Sequence, residues 1–212
     1  MGAMRPAVPE VEKREEKSTV DSFSRATLLA TALGGLAAVP LAGRMFRLGD
    51  ALGSPSKAQD AKILQLVVEL EHTQVAFYEH ALRQAGLTGE LRTFARAALG
   101  HERQHVAAIR RALGAKAGPK PTFDFGEKTR SAGAFTQAAI ELEDIAVAGY
   151  NGQAANLTKP TLAAAAEIVS VEARHAAWVR AIAGEVAAPD PVDTPMTAQQ
   201  VAAGLRGIGL RT

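Results

Sequence analysis

The sequence predicts an all-α fold: a four-helix bundle in which one long crossover connection joins helices two and three. Of the 212 residues 47% are hydrophobic but only 5% aromatic, and alanine, a strong helix former, is abundant. Apolar residues recur every three or four positions, and no segment alternates as a strand would. A Pro/Gly-rich stretch at 114–129 separates two pairs of helical segments, which is the arrangement of a one-crossover bundle.

The four helices are expected at about 59–86, 88–113, 130–155 and 160–184. Helix one carries an apolar stripe that includes Ile63, Leu66, Val67, Leu70, Gln74, Val75, Tyr78 and Leu82. Helix two opens at Thr88 and stops at Gly114, and Pro160 suits the first turn of helix four. The connection can extend to about 50 Å, more than the roughly 39 Å of such a helix, so it can cross the bundle. Phe123 and Phe125 are expected to pin it there.

The bundle is expected to occupy 58–186, with other segments on either side. Residues 1–57 comprise a polar N-terminus, an uncharged stretch at 26–43 and a linker, and 187–212 form a Pro-rich tail with one short helix beginning at Thr197. Arg25 and Arg44 bracket the stretch, which favours an export leader or membrane anchor, or else a helix that packs on a partner. We therefore expect an exported protein of the periplasm or cell envelope, free or attached to the membrane or an envelope complex through 26–43.

Composition excludes several kinds of chemistry. The net charge is only +2 and no dense Lys/Arg block occurs in the folded part, so we expect no nucleic-acid partner. The chain has no Cys, which excludes disulfides, thiolate chemistry and iron–sulfur ligation.

One pattern of polar residues occurs twice. In each copy a Glu is followed two helical turns later by a Tyr and, after about thirty residues, by Glu-x-x-His. One Glu from each of two helices and Glu-x-x-His from each of the other two are the ligand set of a di-metal carboxylate bundle. The predicted ligands are Glu71, Glu102, His105, Glu143, Glu172 and His175, and the tyrosines are Tyr78 and Tyr150.

The predicted ligands lie at matching depths along the bundle and on inward helix faces, which is consistent with one site. Measured from the turn near Leu87, Glu71 lies about 16 residues before and Glu102 about 15 after, and the second hairpin repeats these levels. All four carboxylates fall on apolar stripes, whereas Glu69 and Glu141 fall on the opposite, solvated face. The neighbours expected on that face are Gln65, His72, Thr73, Gln137 and Asp144.

Four buried carboxylates need compensation, which two divalent cations would supply. An oxygen-rich set with two imidazoles suits iron or manganese, so we expect two Fe or two Mn ions per chain. The two tyrosines either fill the core or hydrogen-bond a ligand from outside the metal shell. The remaining histidines, His72, His80 and His101, are expected at the surface, and Trp178 is expected to pack or to lie at an interface.

The residues resemble a known family. The stretch Leu70–Tyr78, the segment His101–Val106, the Phe123–Phe125 loop and Glu172–His175 are similar to exported ferritin-like proteins related to plant desiccation-related proteins. The resemblance covers about 58–184 and places the chain with the superfamily that includes rubrerythrins and bacterioferritins. It implies that Glu71 and His105 serve one metal and Glu143 and His175 the other, with Glu102 and Glu172 bridging.

The expected function is action on Fe(II), O₂ or peroxide in oxidative-stress or desiccation protection, by a homo-oligomer. The enzyme candidates are a ferroxidase or peroxidase and a manganese-catalase-like oxidoreductase. The alternative is a non-enzymatic component of an envelope assembly whose metals only stabilise the bundle.

Overall fold

The structure, a computed structural model, describes residues 55–211. The polar N-terminus and the leader or anchor predicted at 26–43 lie outside the described residues. Within 55–211, no helix is both long enough and apolar enough to cross a membrane.

Four long helices form the bundle, as the sequence predicts, and their ends differ from the predicted ones by at most about two residues. They pair as two hairpins, α1 with α2 and α3 with α4, because the connections at 85–88 and 154–158 are short. The helices are α1 (Lys57–Gln84), α2 (Gly89–Leu113), α3 (Ala132–Gln153) and α4 (Lys159–Ala183).

Capping residues explain where several helices begin and end. The Ser56 hydroxyl accepts a hydrogen bond from Gln59 N, and the Ser131 hydroxyl accepts one from Ala134 N, at 3.2 Å each. Helix α4 has Pro160 in its first turn and ends at Gly184, whose φ of 76° closes the C-terminus in the left-handed region.

The crossover connection contains three short elements and is tied to the end of the chain. Two 3₁₀ turns, Gly114–Lys116 and Gly126–Thr129, flank strand β1 (Thr122–Phe123). This strand pairs antiparallel with β2 (Leu210–Arg211), with Thr122 opposite Arg211. The expectation of no strands therefore misses this one pair, because two residues are too short to produce an alternating pattern.

The prediction that Phe123 and Phe125 pin the crossover connection is confirmed. The Phe125 ring is buried and meets Phe77 of α1 edge to face, with ring centroids 5.5 Å apart. The Phe123 ring stacks on Phe125 at 5.7 Å.

The C-terminal segment is part of the packed domain. The short helix predicted from Thr197 is present as α5 (Ala198–Ile208), and Thr197 and Gln200 form a capping box. Its apolar stripe, Val201, Leu205 and Ile208, is buried in the main core. Gly209 then has a φ of 148°, and a Cβ there would lie 2.5 Å from the Asp124 carbonyl oxygen. Only glycine fits this contact with the crossover connection.

Two apolar clusters lie on either side of the buried polar residues. The larger contains the rings of Phe77, Tyr78, Phe94, Phe125 and Phe135. The smaller contains Ile63, Val67, Val68, Ile109, Leu113, Tyr150 and Leu157. The polar groups between them are therefore shielded from water along the bundle.

Candidate metal centre

The structure brings all six predicted ligand residues together in the centre of the bundle. Helix α1 contributes Glu71 and α3 contributes Glu143, while α2 and α4 each contribute a Glu and a His one turn apart. All four glutamates have an exposed fraction of 0%, and His175 is 3% exposed. Their role as metal ligands stays a prediction from the sequence; their convergence is a fact of the structure.

The first half of the site surrounds His105. Its Nδ1 lies 2.8 Å from Glu102 Oε2, 3.1 Å from Glu172 Oε1 and 3.3 Å from Glu71 Oε2. These four residues can each offer one ligand atom such that all four atoms lie within 4.8 Å of one another.

The second half surrounds His175. Its Nδ1 lies 3.0 Å from Glu102 Oε1 and 3.5 Å from Glu143 Oε2. Together with Glu172 these residues form a second group of four within the same 4.8 Å limit. Glu102 and Glu172 belong to both groups, so their carboxylates lie between the two imidazoles.

The two tyrosines bond to carboxylates of the site, each across the bundle. Tyr150 of α3 donates to Glu71 Oε1 of α1 at 2.5 Å, and Tyr78 of α1 donates to Glu143 Oε1 of α3. Burial and the adjacent carboxylates hold the pKa of both phenols well above 10. Both hydroxyls therefore stay protonated donors and hold the two terminal carboxylates in place.

Burial and charge shift the pKa values of the acids and imidazoles in the metal-free site. Burial raises the pKa of Glu71 and Glu172 to about 8, and neighbouring carboxylates add to the effect. Burial alone would lower the pKa of the histidines, but the carboxylates beside their ring nitrogens raise it to about 12 for His105 and about 10 for His175. Without metal, protons therefore supply the positive charge that the carboxylates need.

The donor set fits a pair of cations. Within residues 55–211, three buried atoms have no hydrogen-bond partner, although other site atoms lie within 3.0–3.1 Å of them: Glu102 Oε1, Glu172 Oε1 and His175 Nδ1. Such buried orphans are costly in a protein core. They converge with lone pairs toward shared positions, as ligands of a metal ion do, and the set of carboxylates and imidazoles suits iron or manganese.

Two residues of the site were not predicted from the sequence. Gln74 is fully buried, and its Nε2 donates to Glu172 Oε2 at 2.8 Å and to both Glu143 oxygens at 3.3 Å. His101 is exposed as predicted, but its Nδ1 lies 2.9 Å from His175 Nε2. A comparison of the two hairpins could have identified these residues, because Gln74 and His101 have no polar counterparts in the second hairpin.

The prediction of a solvated face around His72 and Thr73 is wrong, since both are buried. The crossover connection covers this side of α1: Gly118 lies against Gln65, and Arg110 and Lys120 are close enough to lower the pKa of His72 after burial. Gln65 and Glu69 are half-buried, whereas Glu141 and Gln137 are exposed as expected.

The remaining aromatic and histidine predictions have simple outcomes. Trp178 was expected to pack or to lie at an interface, and it packs. Its ring meets Phe94 edge to face at 5.5 Å, and its Nε1 donates to Glu90 at 3.0 Å. His80 is half-buried rather than at the surface, beside Phe125.

Fold and site together define a class of protein, the helical bundles with a buried carboxylate and histidine cluster that can hold two metal ions. The family model described as the ferritin-like domain matches residues 59–185, more than half of the chain. The chain therefore belongs to the ferritin-like domain family. Among curated proteins, none matches the sequence.

Proposed function

We propose that the protein holds two iron or two manganese ions and acts on Fe(II), O₂ or peroxide as a protective oxidoreductase. The observation that carries the proposal is the overlap of the two ligand groups, since Glu102 and Glu172 belong to both. A pair of ions at such a site can exchange two electrons with O₂ or peroxide.

The residues of the chain have distinct tasks in this proposal. The four carboxylates supply the negative charge that two divalent ions need, and Tyr78 and Tyr150 fix the two terminal ones by hydrogen bonds. The flanking apolar clusters exclude bulk water, which strengthens these electrostatic interactions.

Two routes lead toward the site. His105 and His175 line a surface depression of about 490 Å³ between α2 and α4, which offers ions, peroxide and protons a polar approach. An apolar cavity of about 260 Å³, lined by residues such as Ile63, Val67 and Ile168, reaches Tyr150 and offers an approach to apolar O₂. The presence of one polar and one apolar approach supports small oxidants such as peroxide and O₂ as substrates.

The first experiment is to measure iron, manganese and zinc in the full chain, purified without chelators, by plasma mass spectrometry. We expect about two iron or manganese ions per chain, lost in a Glu102→Ala/His105→Ala variant. Glu141→Ala is the matched control, because Glu141 is an exposed carboxylate on α3 next to the site in sequence. Absence of stoichiometric metal after anaerobic reloading would refute the centre.

The second experiment separates enzyme from scaffold. The loaded protein is assayed for Fe(II) oxidation, peroxide reduction and catalase activity with each metal. Turnover that the double variant loses supports the oxidoreductase. A metal-loaded protein with no turnover, whose only response to metal is a higher unfolding temperature, supports the structural alternative.

We further propose that the protein acts at the cell envelope. This rests only on the uncharged stretch 26–43 between Arg25 and Arg44. Fractionation of cells expressing the full chain and a deletion of 26–43 tests it: the full chain should appear in the envelope or periplasm and the deletion in the cytoplasm.

A further inference from the structure

The two hairpins repeat the same site residues but differ at two positions that contact the site. Gln74 follows Glu71 by one turn, and the equivalent residue after Glu143 is Ala146. His101 precedes Glu102 directly, and the equivalent residue before Glu172 is Val171. Both polar residues come from the first hairpin, yet both contact the half of the site around Glu143 and His175.

His101 fixes the ring of His175. The two nitrogens, His101 Nδ1 and His175 Nε2, are 2.9 Å apart, and the ring planes differ by only 7°. A neutral His175 whose Nδ1 lone pair points at an ion carries its proton on Nε2, from which it donates to His101. This hydrogen bond selects the tautomer and the ring orientation that metal binding at Nδ1 requires.

Gln74 acts on Glu143, a carboxylate of the same half, and on Glu172, which both halves share. Its amide nitrogen contacts Glu143 and Glu172 at once, at 3.3 Å and 2.8 Å. The methyl group of Ala146 can offer nothing equivalent to Glu71. Three side chains, Tyr78, Gln74 and His101, therefore hold the ligands of the Glu143–His175 half in position.

The other half has less support. Among residues 55–211, the Glu71 carboxylate accepts a hydrogen bond from Tyr150, and His105 bonds only to carboxylates of the site itself. The His105 side chain is also 12% exposed, toward the surface depression, whereas that of His175 is 3% exposed. Fewer groups hold the Glu71–His105 half, and it is nearer to solvent.

We infer that the two metal positions are unequal: the Glu143–His175 position binds its divalent ion first and more tightly, because His101 and Gln74 hold its ligands in place. The Glu71–His105 position then exchanges its ion through the depression. This inference rests on the proposed di-metal centre. Loss of a group that orients a metal ligand typically weakens metal binding about 10- to 100-fold, so the two binding steps should differ by a factor of that order.

The test is titration of the metal-free full chain with Mn²⁺, followed by calorimetry and by the electron paramagnetic resonance signal of free Mn²⁺. We expect two resolved steps. Glu143→Gln should remove the tight step and Glu71→Gln the weak one. Equal affinities in the wild type, or the opposite assignment of the steps, would overturn the inference while leaving the centre intact. Failure to bind any Mn²⁺ would refute the centre as well.

Variants of His101 test the positioning role directly. His101→Ala should weaken the tight step about 10- to 100-fold and leave the weak step unchanged. His101→Asn should restore much of the loss, because its amide oxygen can accept the same hydrogen bond. Gln104→Ala is the control, since Gln104 lines the same depression but, among the residues described, bonds only to the Gly100 carbonyl. An unchanged tight step in His101→Ala would overturn the role of His101.

Discussion

Loading the metal-free protein with two divalent ions should release about four protons at pH 7. The pKa values of His105 and His175, about 12 and 10, make both imidazoles fully protonated at that pH. The carboxyls of Glu71 and Glu172, with pKa values of about 8, are each about nine-tenths protonated. Each must lose its proton to bind an ion.

The same pKa values predict how the number changes with pH. At pH 9 the two carboxyls are almost fully ionised, so about two protons should remain to be released, both from histidines. Metal affinity should therefore rise with pH. Near pH 7 the increase should be about 100-fold per ion for each pH unit, because about two protons leave per ion.

Calorimetric titration with Mn²⁺ in two buffers of different ionisation enthalpy measures the protons released. Glu71→Gln provides the matched control: it removes one titrating carboxyl and the ion that would displace the His105 proton, so the count at pH 7 should fall by about two. Release of less than one proton at pH 7, or a count that does not fall between pH 7 and pH 9, would refute the reasoning.

Three further substitutions test the structure away from this titration. Tyr150→Phe should weaken Mn²⁺ binding about tenfold or more, because Glu71 loses its 2.5 Å hydrogen bond while the ring remains. Asp60→Ala should lower the free energy of unfolding in urea by about 1–3 kcal/mol, because Thr158 N and two hydroxyls lose their acceptor. Leu205→Ala should cost about 2–5 kcal/mol in the same assay, because this fully buried side chain of α5 leaves a cavity.

Each of these predictions has an outcome that would contradict it, and Leu205→Ala also has a matched control. Leu162→Ala, at an exposed position, should change stability by less than about 0.5 kcal/mol. A similarly small loss for Leu205→Ala would show that α5 does not contribute to the core. Burial would raise the pKa of Asp60, but hydrogen bonds from Thr158 and Thr161 lower it below 3.8. Its stabilisation should thus be present above pH 3.8 and vanish as the pH falls through the lowered pKa; persistence in strong acid would contradict this account. Wild-type Mn²⁺ affinity in Tyr150→Phe would show that the Tyr150 hydroxyl does not contribute to metal binding.

Helix geometry explains why so much of the site could be predicted. Spacing along the chain becomes depth along a helix at a constant rise, so Glu71 and Glu102 could be placed at one level from their distances to the turn. Periodicity likewise placed the four glutamates on the inner faces, and all four are buried.

The features that could not be predicted from the sequence depend on the path of the crossover connection and on the rotation of each helix about its axis. Burial of His72 depends on the course of the crossover connection, which no helical period encodes. The contacts of Gln74 and His101 are made to other helices, so they depend on how each helix is rotated about its axis. Helix α5 could be predicted to begin at Thr197, but its burial in the core could not be predicted.

The metal ions and the fold are coupled through the same buried groups. The carboxyl pKa values are raised from 4.5 to about 8, so the stability they contribute to the metal-free fold is full below pH 4.5 and lost as the pH rises through 8. The histidine pKa values are also raised, from 6.5, so their contribution is lost at still higher pH. Deprotonation of either kind of group therefore lowers the stability of the metal-free bundle as the pH rises. Because bound ions replace these protons, the stabilisation that metal provides should grow with pH, and the four helices would then depend on the ions that they hold.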